Sequence, residues 1–127
     1  MSNRAVISTP FAPDAIGPYS QAIKVGNTVW LSGQIPLMPD TMELVEGDAR
    51  EQATQVFQNL AAVAEAAGGS LDDAVKINIS LINLDDFAAV NDVMARFLSA
   101  PFPARACVQV AALPRGAAVE IEATLSL

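Results

Sequence analysis

Histidine is absent from this 127-residue chain, and cysteine occurs once, at position 107. Without imidazole the chain can build no His-ligated metal site, no Cys–His dyad and no Ser–His–Asp triad of its own. A lone thiol allows no disulfide within the chain. Bases are scarce too: seven Lys and Arg stand against fourteen Asp and Glu, for a net charge of −7. Arg4, Lys24, Arg50, Lys76, Arg96, Arg105 and Arg115 are scattered singly, whereas a nucleic-acid surface clusters its bases to displace phosphate counterions. That excludes nucleic acid as the main ligand but leaves room for a small anion held by one or two arginines. No run approaches the ~18 apolar residues of a membrane span. The opening MSNRAVISTP carries no apolar signal core. The expectation is a cytoplasmic protein with no membrane partner.

What is plentiful is apolar surface. Hydrophobic residues make up 52% of the chain and charged residues 17%, below the usual fraction of about a quarter. The length suits a single domain over residues 1–127. So much apolar surface on so small a body predicts a substantial interface between subunits.

The pattern along the chain predicts its elements. Gln21–Val25 and Thr28–Ser32 read as strands joined by a Gly26-Asn27 turn. Asp48 opens a helix, with Glu51 placed for a capping box. Ala53, Val56, Phe57, Leu60, Val63, Ala64 and Ala67 form its apolar stripe, and Gly68-Gly69 stops it. Val75 to Leu81 alternates as a half-buried strand. A second helix starts near Asp85, carries Phe87, Val90, Met94 and Phe97 on one face, and is ended by Pro101. Two strands follow, around Arg105–Val110 and Val119–Ser126. The order β-β-α-β-α-β-β, with a short extra strand near Ala5–Ile7, predicts an α+β fold: a single mixed sheet with both helices on one face.

Arg105 stands alone in an uncharged stretch from Pro101 to Pro114. A guanidinium there either meets a carboxylate of the protein or receives one from outside, for which its planar fork is suited. Alternation places Val108 and Val110 beneath the helices, with Arg105 and Cys107 on the opposite sheet face beside Glu120 and Glu122 of the last strand. If the last two strands formed a simple hairpin, Glu120 would lie opposite roughly position 110, with Arg105 on the order of 16 Å further along. In that register the two would not bond. Cys107 has no histidine to activate it and reads as packing. Tyr19 follows a Gly-Pro turn, Ser32-Gly-Gln sits at a strand end, and Asn91 is a poor helix former in mid-helix. Each of these has an ordinary structural explanation in local hydrogen bonding.

Taken together, Gly17-Pro-Tyr-Ser-Gln-Ala-Ile23, Ser32-Gly-Gln-Ile-Pro36, Gln52-Ala-Thr-Gln55 with Asn59-Leu60, Asp86-Phe-Ala-Ala-Val-Asn91, Pro103-Ala-Arg-Ala-Cys-Val-Gln-Val110 with Leu113-Pro114, and Val119-Glu-Ile-Glu-Ala123 resemble the RidA/YjgF family, in its order and over nearly the whole chain. The resemblance implies a chorismate-mutase-like fold assembled as a homotrimer with clefts between subunits. It implies hydrolysis of reactive 2-imino acids, such as 2-iminopropanoate and 2-iminobutanoate, to 2-oxo acids and ammonia, without metal or organic cofactor. Arg105 would hold the substrate carboxylate, Glu120 would act as general base on water, and Tyr19 would serve the imine nitrogen. Ser32, Gly33 and Asn91 would line the cleft, with Cys107 acting mainly through its backbone. Met94, where an aromatic is frequent, Ala106, where Ser is common, and a slightly short stretch from Asn91 to Pro103 depart from the commoner pattern and bear on specificity. The alternatives are a non-catalytic sensor of small carboxylates or, against the charge balance, an endoribonuclease or chaperone.

Overall fold

Period-two alternation and helix caps organise residues 3–127, which the computed structural model describes. Six strands form one sheet: β1 (Ala5–Ile7), β2 (Ala22–Val25), β3 (Thr28–Gln34), β4 (Ala74–Leu81), β5 (Ala104–Gln109) and β6 (Val119–Ser126). Their order across it is β1-β2-β3-β6-β4-β5. β5 runs parallel to β4 and the other pairs are antiparallel. Helices α1 (Ala49–Ala66) and α2 (Phe87–Phe97) pack together, and α1 lies across β3 and β6. The α+β sheet with two helices on one face is therefore present, including the short first strand.

The helix ends follow from their residues. The Asp48 carboxylate accepts the Glu51 N–H at 3.1 Å, satisfying one of the orphan donors of the first turn. At the other end Gly68 takes φ +94° and Gly69 N–H reaches back to Ala64 O at 3.1 Å, a reversal that suits a residue without Cβ. Between them Val56, Phe57, Leu60 and Val63 are fully buried against Val29, Ile77, Ile121 and Leu125. Phe57 also stacks on Phe97 with ring centroids 5.5 Å apart. Each such side chain contributes about 1.5–3 kcal/mol on leaving water.

The pairing of the last two strands, left open by the sequence, is not a hairpin, and one expectation is corrected. β6 lies between β3 and β4, and β5 lies beyond β4 on the sheet edge. Val119, Ile121, Ala123 and Leu125 are all nearly inaccessible, which suits a central strand with a neighbour on each side. β4, α2 and β5 instead form a crossover unit with parallel strands. The faces of β5 are also inverted. Arg105 and Cys107 register with Ile77 and Ile79, both buried beneath the helices, while Val108 is 52% exposed on the open face. In a short edge strand the wet side does not have to be the polar one. Here α2 supplies partners for the guanidinium, and valine alternation gives the wrong parity.

Candidate functional site

Arg105 owes its pose to α2. Asn91 lies one turn after Phe87, so both face the same way on the helix. Arg105 Nη1 donates to Asn91 Oδ1 at 2.5 Å and lies 3.8 Å from Met94 Sδ. Its Cζ sits 5.0 Å from the centroid of the Phe87 ring, a cation–π arrangement. The guanidinium is thus braced by an amide, a thioether and a ring. No described carboxylate pairs with it, whereas Arg50 pairs with Asp92 at 3.2 Å. Asn91, in mid-helix for no local reason, has this contact as its explanation. Around Arg105 a recess of about 450 Å³ is lined by Asn91, Met94, Ala95, Phe102 and Pro103.

Tyr19, Gly33 and Glu120 meet in a second recess, of about 270 Å³. Gly17, at φ +124°, turns the chain so that its carbonyl accepts the Tyr19 N–H at 2.9 Å. The phenol oxygen accepts the Ile16 N–H at 3.3 Å. Behind this turn Gln21 accepts from Thr9 N–H and donates to the carbonyls of Thr9, Ala12 and Pro13, fixing the segment on which Tyr19 rides. Gly33 lies where the β3–β6 register slips between Leu31 and Gln34. A Cβ there would come within 3.1 Å of Glu120 Cδ, so glycine is what lets this carboxyl lie against the strand. Burial pushes the Glu120 carboxyl above the usual carboxylate range, and the like charge of Glu122 adds to the rise. Glu122 itself accepts from Asn78 Nδ2 at 3.1 Å.

The two recesses do not converge within one chain. Glu120 faces the open side of the sheet and Arg105 the helix side. Through Ser80 the register places Glu120 level with Val108. Arg105 is then about 14 Å away, Cα to Cα, from two strand spacings and three residues of rise. Asn91 joins Arg105, and Gly33 and Tyr19 join Glu120. Ser32 stands apart: its hydroxyl donates to Ser20 O at 2.5 Å and so ties β3 to the segment before β2. Cys107 is half-buried on the helix side, and burial raises its thiol pKa against the opposing pull of Arg105. It stays protonated near neutral pH, which does not suit a nucleophile. Among the described residues, no three His, Cys, Asp or Glu side chains gather to hold a metal ion, and no helix is long and apolar enough to cross a membrane. Sequence reasoning passed over Phe87 as a cation brace, Gln21 as an anchor, and Met42 and Arg115 as walls of the Glu120 recess.

A mixed sheet backed by two helices, with an arginine braced on one face and a glutamate cradled by glycine on the other, defines an α+β protein with a divided polar site. Comparison with known proteins gives the family. The model described as Endoribonuclease L-PSP matches residues 9–126. A protein of Dermatophagoides farinae named 2-iminobutanoate/2-iminopropanoate deaminase is 56% identical over 122 residues, covering 96% of this chain and 95% of its own. The crystal structure of RidA from the Antarctic bacterium Psychrobacter sp. PAMC 21119 superposes with a TM-score of 0.94 at 58% identity, covering 97% of this chain and 99% of the other. That of E. coli TdcF with bound serine gives 0.91 at 40% identity, with 97% and 98% covered. The chain belongs to the Endoribonuclease L-PSP family, the RidA/YjgF family that its motifs resemble.

Proposed function

We propose that this protein hydrolyses reactive 2-imino acids, among them 2-iminopropanoate and 2-iminobutanoate, to 2-oxo acids and ammonia, at clefts between the subunits of a homotrimer. The observation that carries this reading is Arg105: exposed, braced by Asn91, Phe87 and Met94, and without a carboxylate partner among the described residues. Such a cation suits the carboxylate of a small acid. The E. coli relative with bound serine supports a small amino or imino acid as the ligand class.

Because Arg105 and Glu120 lie on opposite sheet faces, a neighbouring subunit must bring one of them to the other. Trp30 at 49% exposure and Val108 at 52% leave apolar surface on the open face, which favours such association. In the assembled cleft Arg105 of one subunit fixes the carboxylate and thereby the C=N carbon. Glu120 of the next takes a proton from water as its oxygen bonds to that carbon. The imine nitrogen gains a proton, with Tyr19 placed to deliver it. In the resulting carbinolamine Glu120 passes the proton it took from water to the amine, and the hydroxyl returns a proton to Tyr19 as the C–N bond breaks, releasing ammonia and leaving the 2-oxo acid. Cys107 contributes backbone, and Gly33 shapes the seat of the base. The open face carries Glu120 and Glu122, which disfavours a polyanion such as RNA there.

The test couples the protein to a threonine or serine dehydratase and follows imine decay by semicarbazide trapping. Acceleration over buffer supports the reading; saturable 2-oxo acid binding without acceleration would make the protein a carboxylate sensor instead. A pH profile follows from Glu120. General-base action needs the ionised form, so kcat/KM falls as acid protonates Glu120. Because its pKa is raised, the midpoint lies above that of an ordinary carboxylate. Glu122→Gln removes the repelling charge and moves the midpoint to lower pH, measured against the buffer rate at each pH. A midpoint that Glu122→Gln leaves in place would assign the titration to another group.

A further inference from the structure

Among the described residues, two that are not glycine adopt left-handed backbone, Met42 and Arg115, each at φ 60°. Side chains with a Cβ avoid this region, and its use in folded proteins concentrates at sites where the conformation serves a purpose. These two meet. Arg115 Nη2 donates to the Met42 carbonyl at 3.3 Å, although 73 positions separate them.

Both elements end at the recess of Glu120. Met42 closes a reversal in which its N–H bonds Met38 O at 2.8 Å and Met38 N–H bonds Glu43 O at 2.9 Å, with Leu37 bridged to Leu44 below. Arg115 sits in the tight turn Pro114–Gly116 that leads into β6. Met42 and Arg115 line the recess together with Tyr19, Gly33 and Glu120. Ile16, Ile35, Leu37 and Met42 make its apolar wall, and Gln21, another lining residue, has its amide committed to the backbone.

A 2-imino acid has three substituents at its reacting carbon. On the reading above, the carboxylate goes to the neighbour's Arg105 and the nitrogen to Tyr19, with water delivered from Glu120. The side chain is left for the apolar wall. We infer that this wall is the side-chain subsite and that Met42, clasped by Arg115, sets the length of aliphatic side chain it accepts. The recess, of about 270 Å³, has room for several waters or a short aliphatic chain. Met42 already forms part of the wall around that space, so shortening its side chain lengthens the room left for an aliphatic group. Arg115 acts as a positioning residue, holding the Met42 backbone through its carbonyl.

The test uses Met42→Gly, which removes the side chain yet tolerates the left-handed backbone, and Arg115→Asn, which tolerates it too but cannot reach Met42 O. Imines with methyl, ethyl and butyl side chains are generated by an amino-acid oxidase and trapped with semicarbazide. Binding of the matching 2-oxo acids is measured by calorimetry. Met42→Gly is expected to raise the butyl-to-methyl ratio of kcat/KM and of affinity by about tenfold or more, the scale on which methylene-sized pocket changes discriminate. Arg115→Asn shifts both ratios the same way by less. Unchanged ratios, or uniform losses across the side chains, would overturn the inference. If the wild type turns over no imine but the oxo-acid affinities shift as stated, the deaminase reading fails and the subsite stands.

Discussion

Arg105→Ala is expected to lower kcat/KM on 2-iminobutanoate by about 10²–10³-fold, with KM raised and kcat reduced together. A bidentate, charge-assisted contact supplies both binding and alignment of the reacting carbon. Its loss is felt in the transition state as well as in the ground state. The side chain is exposed and makes no ion pair among the described residues, so the fold should survive, as circular dichroism and gel filtration would verify. Arg105→Lys keeps the charge and loses the fork, the guanidinium's place over the Phe87 ring and the geometry toward Asn91. It should recover only part of the activity. Full activity in Arg105→Ala would remove the carboxylate anchor from the account.

Glu120→Gln is expected to cost about 10²–10⁴-fold in kcat, the range for removing a general base, with KM little changed. The amide keeps the shape that Gly33 accommodates, where a Cβ would crowd Glu120 Cδ at 3.1 Å. It cannot accept the proton of water. Steady-state kinetics on trapped imine separate the two variants: the arginine change acts on KM and kcat, the glutamate change on kcat. A Glu120→Gln enzyme that keeps its kcat would assign the base elsewhere.

Most of the architecture was legible in the residues. Alternation from Val119 to Leu125 marked a strand, and the stripe from Ala53 to Ala67 with Gly68-Gly69 beyond it marked a helix and its stop. Sheet order was not. Whether β6 pairs with β5 or slots between β3 and β4 depends on a choice among partners, and period two is silent on that. Parity failed at β5 because a short edge strand reads the same whichever face is packed. Arg105, Glu120 and Tyr19 stood out as residue types. Their division between two faces came only with the register of Ile77 against Arg105 and of Ser80 against Glu120. The Asn91 contact explains a helix position that propensity left odd. The Met42–Arg115 clasp had no local signature, because it joins turns far apart in the chain.

On the proposed mechanism each site takes Arg105 from one subunit and Glu120 with Tyr19 from the next. Co-refolding equal amounts of Arg105→Ala and Glu120→Gln proteins, with mixed assemblies verified by native mass spectrometry, tests it directly. A site is restored wherever an intact Arg105 meets an intact Glu120 across an interface. If the assembly is the proposed trimer, random mixing should therefore give about a quarter of wild-type activity, far above either parent. Mixed assemblies no more active than the parents would contradict the shared site.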